Sequence, residues 1–480
     1  MNRSETRFVM DDLATPRTAH LVGIGGTGMK NLALILAEWG WTVTGSDESL
    51  TAETSCLLAE MGIETNTRHA AANIKPACNL LIYSKAVPAD NEERRAASAL
   101  QITQLSYPQF LGQLSQSKET LAVAGTHGKT TTTALLGWIL DRANLDAITI
   151  FGGDYLDGSL ISGDSDTSRF VVEACEFTES FLALDAQSAV ILNIESDHFD
   201  CYDSFQSTVR SFATFAQKLT HSGGNLIIEQ SALQTIRHSG VELDSKRLET
   251  FTLDDETGAD WTIRNIELIS SGSRFDVIYR GVELGNFSLP VVGRHMIANA
   301  LAAMALAMGQ GSDIIAIRDA MKTFPGVKRR FELIEHAAGI TVIDDYAHHP
   351  TAITATLEAA RQQFPDQRLI VAFQPHQLSR TQALFNDFVK AFSAADHVVI
   401  VPIYAARENA HFDHWRVSQD LALTISAQWT RASFCSSLDH LGATLDDICL
   451  AGDVLMTLGA GDINQVAYDF SRRLLRHYAS

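Results

Sequence analysis

The sequence predicts an α/β protein made of three successive units. Short apolar, β-branched runs alternate with helical stretches at 20–25 (HLVGIG), 79–83, 120–125, 170–174 and 189–194, and the alternation resumes at 340–346, 368–373, 396–401 and 453–461. Such alternation marks parallel sheets covered by helices. A length of 480 residues with 46% hydrophobic content supports about three cores at the usual ~150 residues each. Two stretches, GQLSQSKET at 112–120 and TFPGVKRRFE at 323–332, precede new strands and are read as the divisions. Between them, 250–292 reads as an antiparallel excursion of four short strands: FTL, WTIRNIEL, RFDVIYRG and FSLPVV.

Charge narrows the function. With 37 basic against 57 acidic residues the chain carries a net −20, the wrong sign for a nucleic-acid binder. The N-terminus, MNRSETRFVMDDLATPRT, lacks the apolar stretch of a signal peptide, and no later run approaches the ~20 apolar residues of a membrane span. The expectation is a cytoplasmic protein with neither nucleic acid nor membrane as partner. Six cysteines without CxxC spacing suggest neither a zinc site nor a disulfide framework.

Two glycine-rich loops carry the chemistry. Gly23-Ile24-Gly25-Gly26-Thr27-Gly28 follows a strand and opens a helix, where backbone can approach a pyrophosphate at the positive helix end. Asp47, in the next strand, sits where a ribose-binding acid would. By itself the motif is also compatible with a ligand-free tight turn, and it does not separate a dinucleotide from a UDP-sugar. Gly125-Thr126-His127-Gly128-Lys129-Thr130-Thr131 repeats the strand-loop-helix arrangement, with Lys129 to neutralise phosphates and the Thr130 hydroxyl to reach Mg²⁺. Val123 stands where the strict phosphate-loop pattern has its first glycine. Two such loops in consecutive units fit one nucleoside triphosphate and a second phosphorylated substrate; a dehydrogenase would leave the second loop idle, a simple NTPase the first.

Polar residues at strand ends supply the remainder. Glu173 and Glu176 end one strand, and Asn193, Glu195, Asp197 and His198 follow the next. Glu173 and His198 are read as Mg²⁺ ligands, whereas Glu195 and Asp197 read as helix caps or exposed loop charges. His295 and Asn299 lie one helical turn apart and could grip a flat base; an ordinary helix start is the alternative. Arg329 and Arg330 could reach phosphates across a cleft or form a solvated patch. Asp344-Asp345-Tyr346-Ala347-His348-His349-Pro350 and the segment from Phe373 through His376 to Arg380 and Thr381 both follow strands of the third unit. His349 could simply cap the next helix.

Taken together, VGIGGTGM, AGTHGKTTTTA, EACE, NIESDH, GRHxxxNA, DDYAHHPT, FQPHxxxRT and LGAGDI resemble the Mur ligase superfamily in order and spacing over nearly the whole chain. The resemblance implies an N-terminal Rossmann-like domain for a UDP-sugar (1–113), a central P-loop-type ATPase domain (114–325) and a C-terminal Rossmann-like domain receiving an amino acid (326–480). It implies ATP and Mg²⁺ as cofactors, UDP-N-acetylmuramate and L-alanine as substrates, and a monomer or dimer. By resemblance, Gly23, Gly25, Gly26, Gly28, Asp47 and Ser84 would hold the UDP-sugar. Gly125, Thr126, His127, Gly128, Lys129, Thr130, Thr131, His295, Asn299, Arg330 and Asp345 would hold ATP, and Thr130, Glu173 and His198 the metal. Tyr346, His348, His376 and Arg380 would hold the amino acid, and catalysis would fall to Lys129, Glu173, His198, His348 and Arg380. Cys175, Met296 and Gln377 depart from the family's commonest residues. A related branch attaches a preformed tripeptide to the same UDP-sugar, and a non-catalytic nucleotide-sugar sensor would keep the fold alone.

Overall fold

A computed structural model describes residues 17–160, 163–254, 258–408 and 412–478. Most of the N-terminal stretch examined for a signal peptide therefore lies outside the described residues. The chain forms three sheets, in agreement with the predicted α/β class. The first contains β1 (Thr18–Val22), β2 (Thr42–Ser46), β3 (Glu64–Asn66), β4 (Leu80–Tyr83) and β5 (Thr103–Ser106), all parallel in the order β3-β2-β1-β4-β5. The order reverses beside β1, and in such open sheets a ligand crevice forms at the strand carboxyl ends at that point.

The central sheet contains β6 (Glu119–Ala124), β7 (Ala147–Ile150), β8 (Arg169–Glu173), β9 (Ser188–Ile191), β10 (Asn225–Glu229), β11 (Leu248–Phe251), β12 (Trp261–Ile269), β13 (Gly272–Tyr279) and β14 (Val282–Leu289). Its order, β14-β13-β12-β11-β10-β9-β6-β8-β7, puts β6 between β9 and β8. The phosphate-loop strand is thus flanked by the two strands whose ends carry the acidic residues. The predicted antiparallel excursion is one strand shorter than read: β11 pairs parallel with both β10 and β12, and only β12 to β14 run antiparallel. The FTL run has a parallel neighbour because it continues the α/β alternation rather than starting the hairpins.

The third sheet contains β15 (Glu332–Ala337), β16 (Ile340–Asp345), β17 (Leu369–Phe373), β18 (His397–Ile400), β19 (Arg431–Phe434) and β20 (Val454–Leu458), in the order β15-β16-β20-β17-β18-β19. All but β15 pair parallel. The polar stretch read as a break at 112–120 is mostly helix: Ser106 and Gln109 form a reciprocal capping box that starts the Tyr107–Gln116 helix. Only two residues then separate this helix from β6. Buried Gly112 and Leu114 belong to its packed face, so local polarity gave way to tertiary packing.

The first and central sheets are locked by polar contacts that position a loop of the site. Lys30 pairs with Asp154 at 2.7 Å, and the buried Asn31 amide donates to the carbonyls of Phe151 (3.1 Å) and Gly153 (2.8 Å). The first core continues across this junction, where Phe181 stacks on Phe215 (centroids 4.8 Å, 4°) and meets Phe212 edge-on. No helix among the described residues is long and apolar enough to cross a membrane. Because Phe181 is fully buried in this aromatic cluster, Phe181→Ala should destabilise the fold by about 3–5 kcal/mol, read from the shift of the urea unfolding midpoint.

Candidate active site

The loop after β6 is shaped by two left-handed glycines, Gly125 (φ +145°) and Gly128 (φ +82°). A Cβ at Gly128 would fall 2.4 Å from Asn299 Oδ1, so the loop can approach the Arg294–Gly309 helix only with glycine there. Asn193, after β9, fastens the same loop: its Oδ1 accepts from His127 N (2.7 Å) and its Nδ2 donates to His127 O (3.1 Å). Lys129 opens the Lys129–Arg142 helix and is buried, and its ammonium donates to Gly125 O and Thr126 O and pairs with Glu176 at 2.8 Å. Burial alone would depress the lysine pKa, but the charge of Glu176 reverses this and raises it. Glu176, whose burial by itself favours the neutral acid, is held lower by Lys129 and His198. Both charges persist because each has the other.

Thr130, Glu173 and His198 converge on this loop. The Thr130 hydroxyl lies 3.1 Å from both Glu173 carboxylate oxygens, and Gly152 N fixes one of them at 2.7 Å. Gly152 belongs to the loop that Lys30 and Asn31 pin, so the first domain's contacts reach the Glu173 carboxylate. His198, in a left-handed backbone conformation (φ +53°), brings Nε2 to 3.4 Å from Glu176, while its buried Nδ1 has no hydrogen-bond partner among the described residues. A hydroxyl, a carboxylate and an unsatisfied imidazole nitrogen suit a hydrated Mg²⁺ that shares its shell with phosphate oxygens. Thr131 is buried behind the loop in the same helix.

The third domain meets this cluster at the ends of β16 and β17. Arg330 donates to Thr130 Oγ1 (3.3 Å) and its guanidinium lies 4.8 Å from the Tyr346 ring centre. His295 is pushed down to about 4 by burial and by the Arg330 charge, so it is neutral at pH 7. Asp345 accepts backbone amides from Phe331 and Ala347 (both 2.7 Å), and burial raises it to about 6. Arg380 is almost fully buried: it grips Asp197 through Nε (2.7 Å) and Nη2 (2.6 Å), and its Nη1 lies 2.9 Å from His376 Nδ1. His348 packs edge-on to Tyr346 and His376, with its Nδ1 2.8 Å from Tyr346 O. His349 caps the Pro350–Gln363 helix through Thr351 N.

A cavity of about 650 Å³ opens between the first and central domains. Its walls include Gly26, Gly28, Ser84, Tyr107, Glu173 and Cys175, with Arg407 arriving from the third domain. Burial and the neighbouring Glu176 push the Cys175 thiol up to about 12, so it lines this space as a neutral group. Gly23 and Gly25 shape the loop behind the wall, and Asp47 holds that loop by accepting from Gly25 N (2.9 Å). One rim is the Thr178–Glu179 pair, consecutive left-handed residues (φ +50° and +55°). Lys85 Nζ clasps this rim through Thr178 Oγ1 (2.6 Å) and Ser180 Oγ (2.9 Å).

Two departures from the sequence reading stand out. Asp197, read as a cap or exposed charge, is buried and paired across the domain boundary, and its Arg380 partner holds it well below the usual carboxylate range. Glu195 sits among His127, His349 and Thr351 rather than free in solvent. The sequence reading did not single out Arg407 or Asp200, which pair at 2.9 Å and connect Gln377 (3.2 Å) to the cavity. Arg407 follows β18, so the rule that ligands gather at parallel strand ends could have found it. Met296 is buried, with its sulfur 3.9 Å from Asn299 Nδ2.

Two phosphate-type loops, a carboxylate–hydroxyl–imidazole cluster and a third domain closing over them define a nucleotide-dependent ligase architecture. The chain belongs to the Mur ligase family: residues 18–119 match its catalytic-domain model, 123–307 its middle domain and 329–461 its glutamate ligase domain. It is 38% identical over 455 residues to a UDP-N-acetylmuramate–L-alanine ligase of Alkaliphilus metalliredigens, covering 93% of this chain and 95% of that one. The same-named ligase of Caldanaerobacter subterraneus is 39% identical over 467 residues, at 96% and 98% coverage. The crystal structure of the corresponding Thermotoga maritima enzyme superposes with a TM-score of 0.80 at 26% identity, over 96% of this chain and 99% of that one. A murein peptide ligase from Psychrobacter arcticus gives 0.71 at 27%, over 96% and 98%.

The histidines set an acid limit on stability. His295, His349 and His376 are each lowered from 6.5 to about 4, chiefly by burial. Between those values the unfolded chain binds more protons than the folded one, so stability is present above pH 6.5 and is lost as pH falls towards 4. Asp345, raised to about 6 by burial, opposes this together with Glu332 and Asp344, which burial also raises, while His348 and His397, lowered by burial, act in the same sense as the three histidines. The midpoint of thermal unfolding should therefore drop steadily between pH 6.5 and pH 4, and a flat profile would show these imidazoles to be solvated.

Proposed function

We propose that the chain catalyses ATP-dependent ligation of L-alanine to the carboxylate of UDP-N-acetylmuramate, the first amino-acid addition of peptidoglycan synthesis. The observation that carries this reading is the convergence of the Lys129 loop, Thr130, Glu173 and His198 between a large cavity on one side and the Arg380 cluster on the other. ATP would lie along the loop, with its phosphates facing Lys129 and Arg330 and its base near His295 and Asn299. The UDP-sugar would fill the cavity from the Gly26–Gly28 end. The amino acid would sit near Tyr346, His348, His376 and Arg380.

In this arrangement a muramate carboxylate oxygen attacks the γ-phosphorus and the bond to ADP breaks. The alanine amine then attacks the acyl carbon and loses a proton, and phosphate departs. Conversion of the carboxylate oxygen into a phosphate leaving group is what makes amide formation accessible. Mg²⁺ held by Thr130, Glu173 and His198 would offset the negative charge between carboxylate and phosphate. Lys129 provides a fixed cation in a water-poor site, where it acts more strongly than in solvent. The carboxylate of the incoming amino acid would approach from the His376 side, because Arg380 is buried with Nε and Nη2 on Asp197 and Nη1 against His376.

Phosphate release with Mg²⁺, ATP and UDP-N-acetylmuramate should be strongly stimulated by L-alanine and much less by glycine or L-serine. Stimulation only by the L-alanyl-γ-D-glutamyl-meso-diaminopimelate tripeptide would instead place the chain with the murein peptide ligases, a reading that the Psychrobacter arcticus structure keeps in view. Lack of stimulation by every acceptor would leave a non-catalytic sensor. Lys129→Ala should lower kcat at least about a hundredfold while UDP-N-acetylmuramate binding, measured calorimetrically, stays near the parent value. Equal loss of both would refute the separate placement of the two nucleotides.

A further inference from the structure

Three metal-competent side chains outside the Thr130–Glu173–His198 group meet where the phosphate loop touches the third domain. His127 Nε2 lies 3.5 Å and His349 Nδ1 3.7 Å from the same Glu195 oxygen, and all three donor atoms fall within 4.8 Å of one another. Two ligands 2.0–2.1 Å from a tetrahedral ion stand about 3.3–3.4 Å apart. The observed separations are therefore close to the edges of a tetrahedron. The imidazole rings of His127 and His349 are 4.5 Å apart at 46°.

The hydrogen bonding fixes the tautomer of His349. Its Nε2 lies 3.1 Å from Ser196 O, a carbonyl that can only accept, so Nε2 carries the hydrogen. Nδ1 then presents its one lone pair beside the Glu195 carboxylate, where it accepts the 3.3 Å helix-cap bond from Thr351 N, a bond that an ion ligated at Nδ1 would replace. Two electron-rich atoms directed at each other are stabilised by a cation between them. His127 Nε2 is buried and makes no hydrogen bond among the described residues. Glu195 Oε2 is itself oriented by the Thr351 hydroxyl at 2.6 Å. Carbonyl-anchored imidazole and hydroxyl-anchored carboxylate are the outer contacts that ordinarily orient metal ligands. Glu195 keeps 33% side-chain exposure against 5% for His349, which provides an entry side and a position for a fourth, water ligand.

We propose that His127, Glu195 and His349 form a site for a Zn²⁺-class ion that bridges the phosphate loop to the third domain. Two imidazoles and one carboxylate select borderline transition metals over Mg²⁺, whose preferred oxygen donors lie at Thr130 and Glu173. An ion here would couple the central and third domains directly, in addition to the Asp197–Arg380 pair.

Co²⁺ added to the full-length protein without nucleotide is the probe, read by its visible absorption. One equivalent should produce the intense bands of a four-coordinate ion. Glu195→Gln and His349→Asn should each weaken binding at least about tenfold, with asparagine retaining the helix cap; His198→Ala should leave the spectrum intact. Circular dichroism establishes that each variant is folded, and His127→Asn takes the place of either that is not. Unchanged Co²⁺ binding in the folded Glu195 and His349 variants, or loss of the bands in His198→Ala, would overturn the assignment.

Discussion

The buried ion pair of Asp197 with Arg380 is the constraint on which the assembled site depends. Neither charge tolerates burial alone, and removal of one partner from such a pair typically costs about 3–5 kcal/mol. Asp197 follows a strand of the central sheet and Arg380 lies in a short helix after a strand of the third, so their pairing requires the two domains to meet. The contacts that complete the cluster lie around it: Arg380 orients His376, His376 packs against His348, and the Glu195–Thr351 and His349–Ser196 bonds run alongside. Specificity of geometry, rather than net stabilisation, is what a buried pair of this kind contributes.

A second constraint operates at the phosphate loop. The loop is held from β9 by Asn193, from the Arg294–Gly309 helix by the close approach of Asn299 to Gly128, and from β8 through Lys129 and Glu176. The Gly152 amide that aims Glu173 belongs to a loop pinned by the first domain. Each domain therefore supplies one wall of the reaction volume and also orients a group that belongs to another wall. This division explains how a site can be ordered although its residues lie hundreds of positions apart in the chain.

Much of this was readable from residue order. Strand-loop-helix context singled out both glycine loops, strand-end position singled out Glu173 and His198, and the roles read for His348 and Arg380 came from the family resemblance. What could not be read was pairing across domains. Asp197 looks like any loop acid until the third domain folds over it, and Arg380 looks like a free cation until Asp197 is seen beside it. The FTL strand was misassigned because pairing direction is set by the neighbour in space, which a short apolar run does not encode. The helix that absorbs GQLSQ was missed because three of those five letters are polar, although Ser115 packs inward with Gly112 and Leu114.

The rim of the large cavity carries a further consequence. Thr178 and Glu179 hold consecutive left-handed conformations, each of which costs on the order of 1–3 kcal/mol for residues with a side chain. Lys85 of the first domain clasps that rim from the opposite bank. The rim thus joins a strained stretch of the central domain to the first domain through the Lys85 clasp. By reciprocity, any molecule that prefers the clasped wall must draw the first two domains together with the same free energy that their contact lends to its binding. Substrate retention and domain separation are then two readings of one equilibrium.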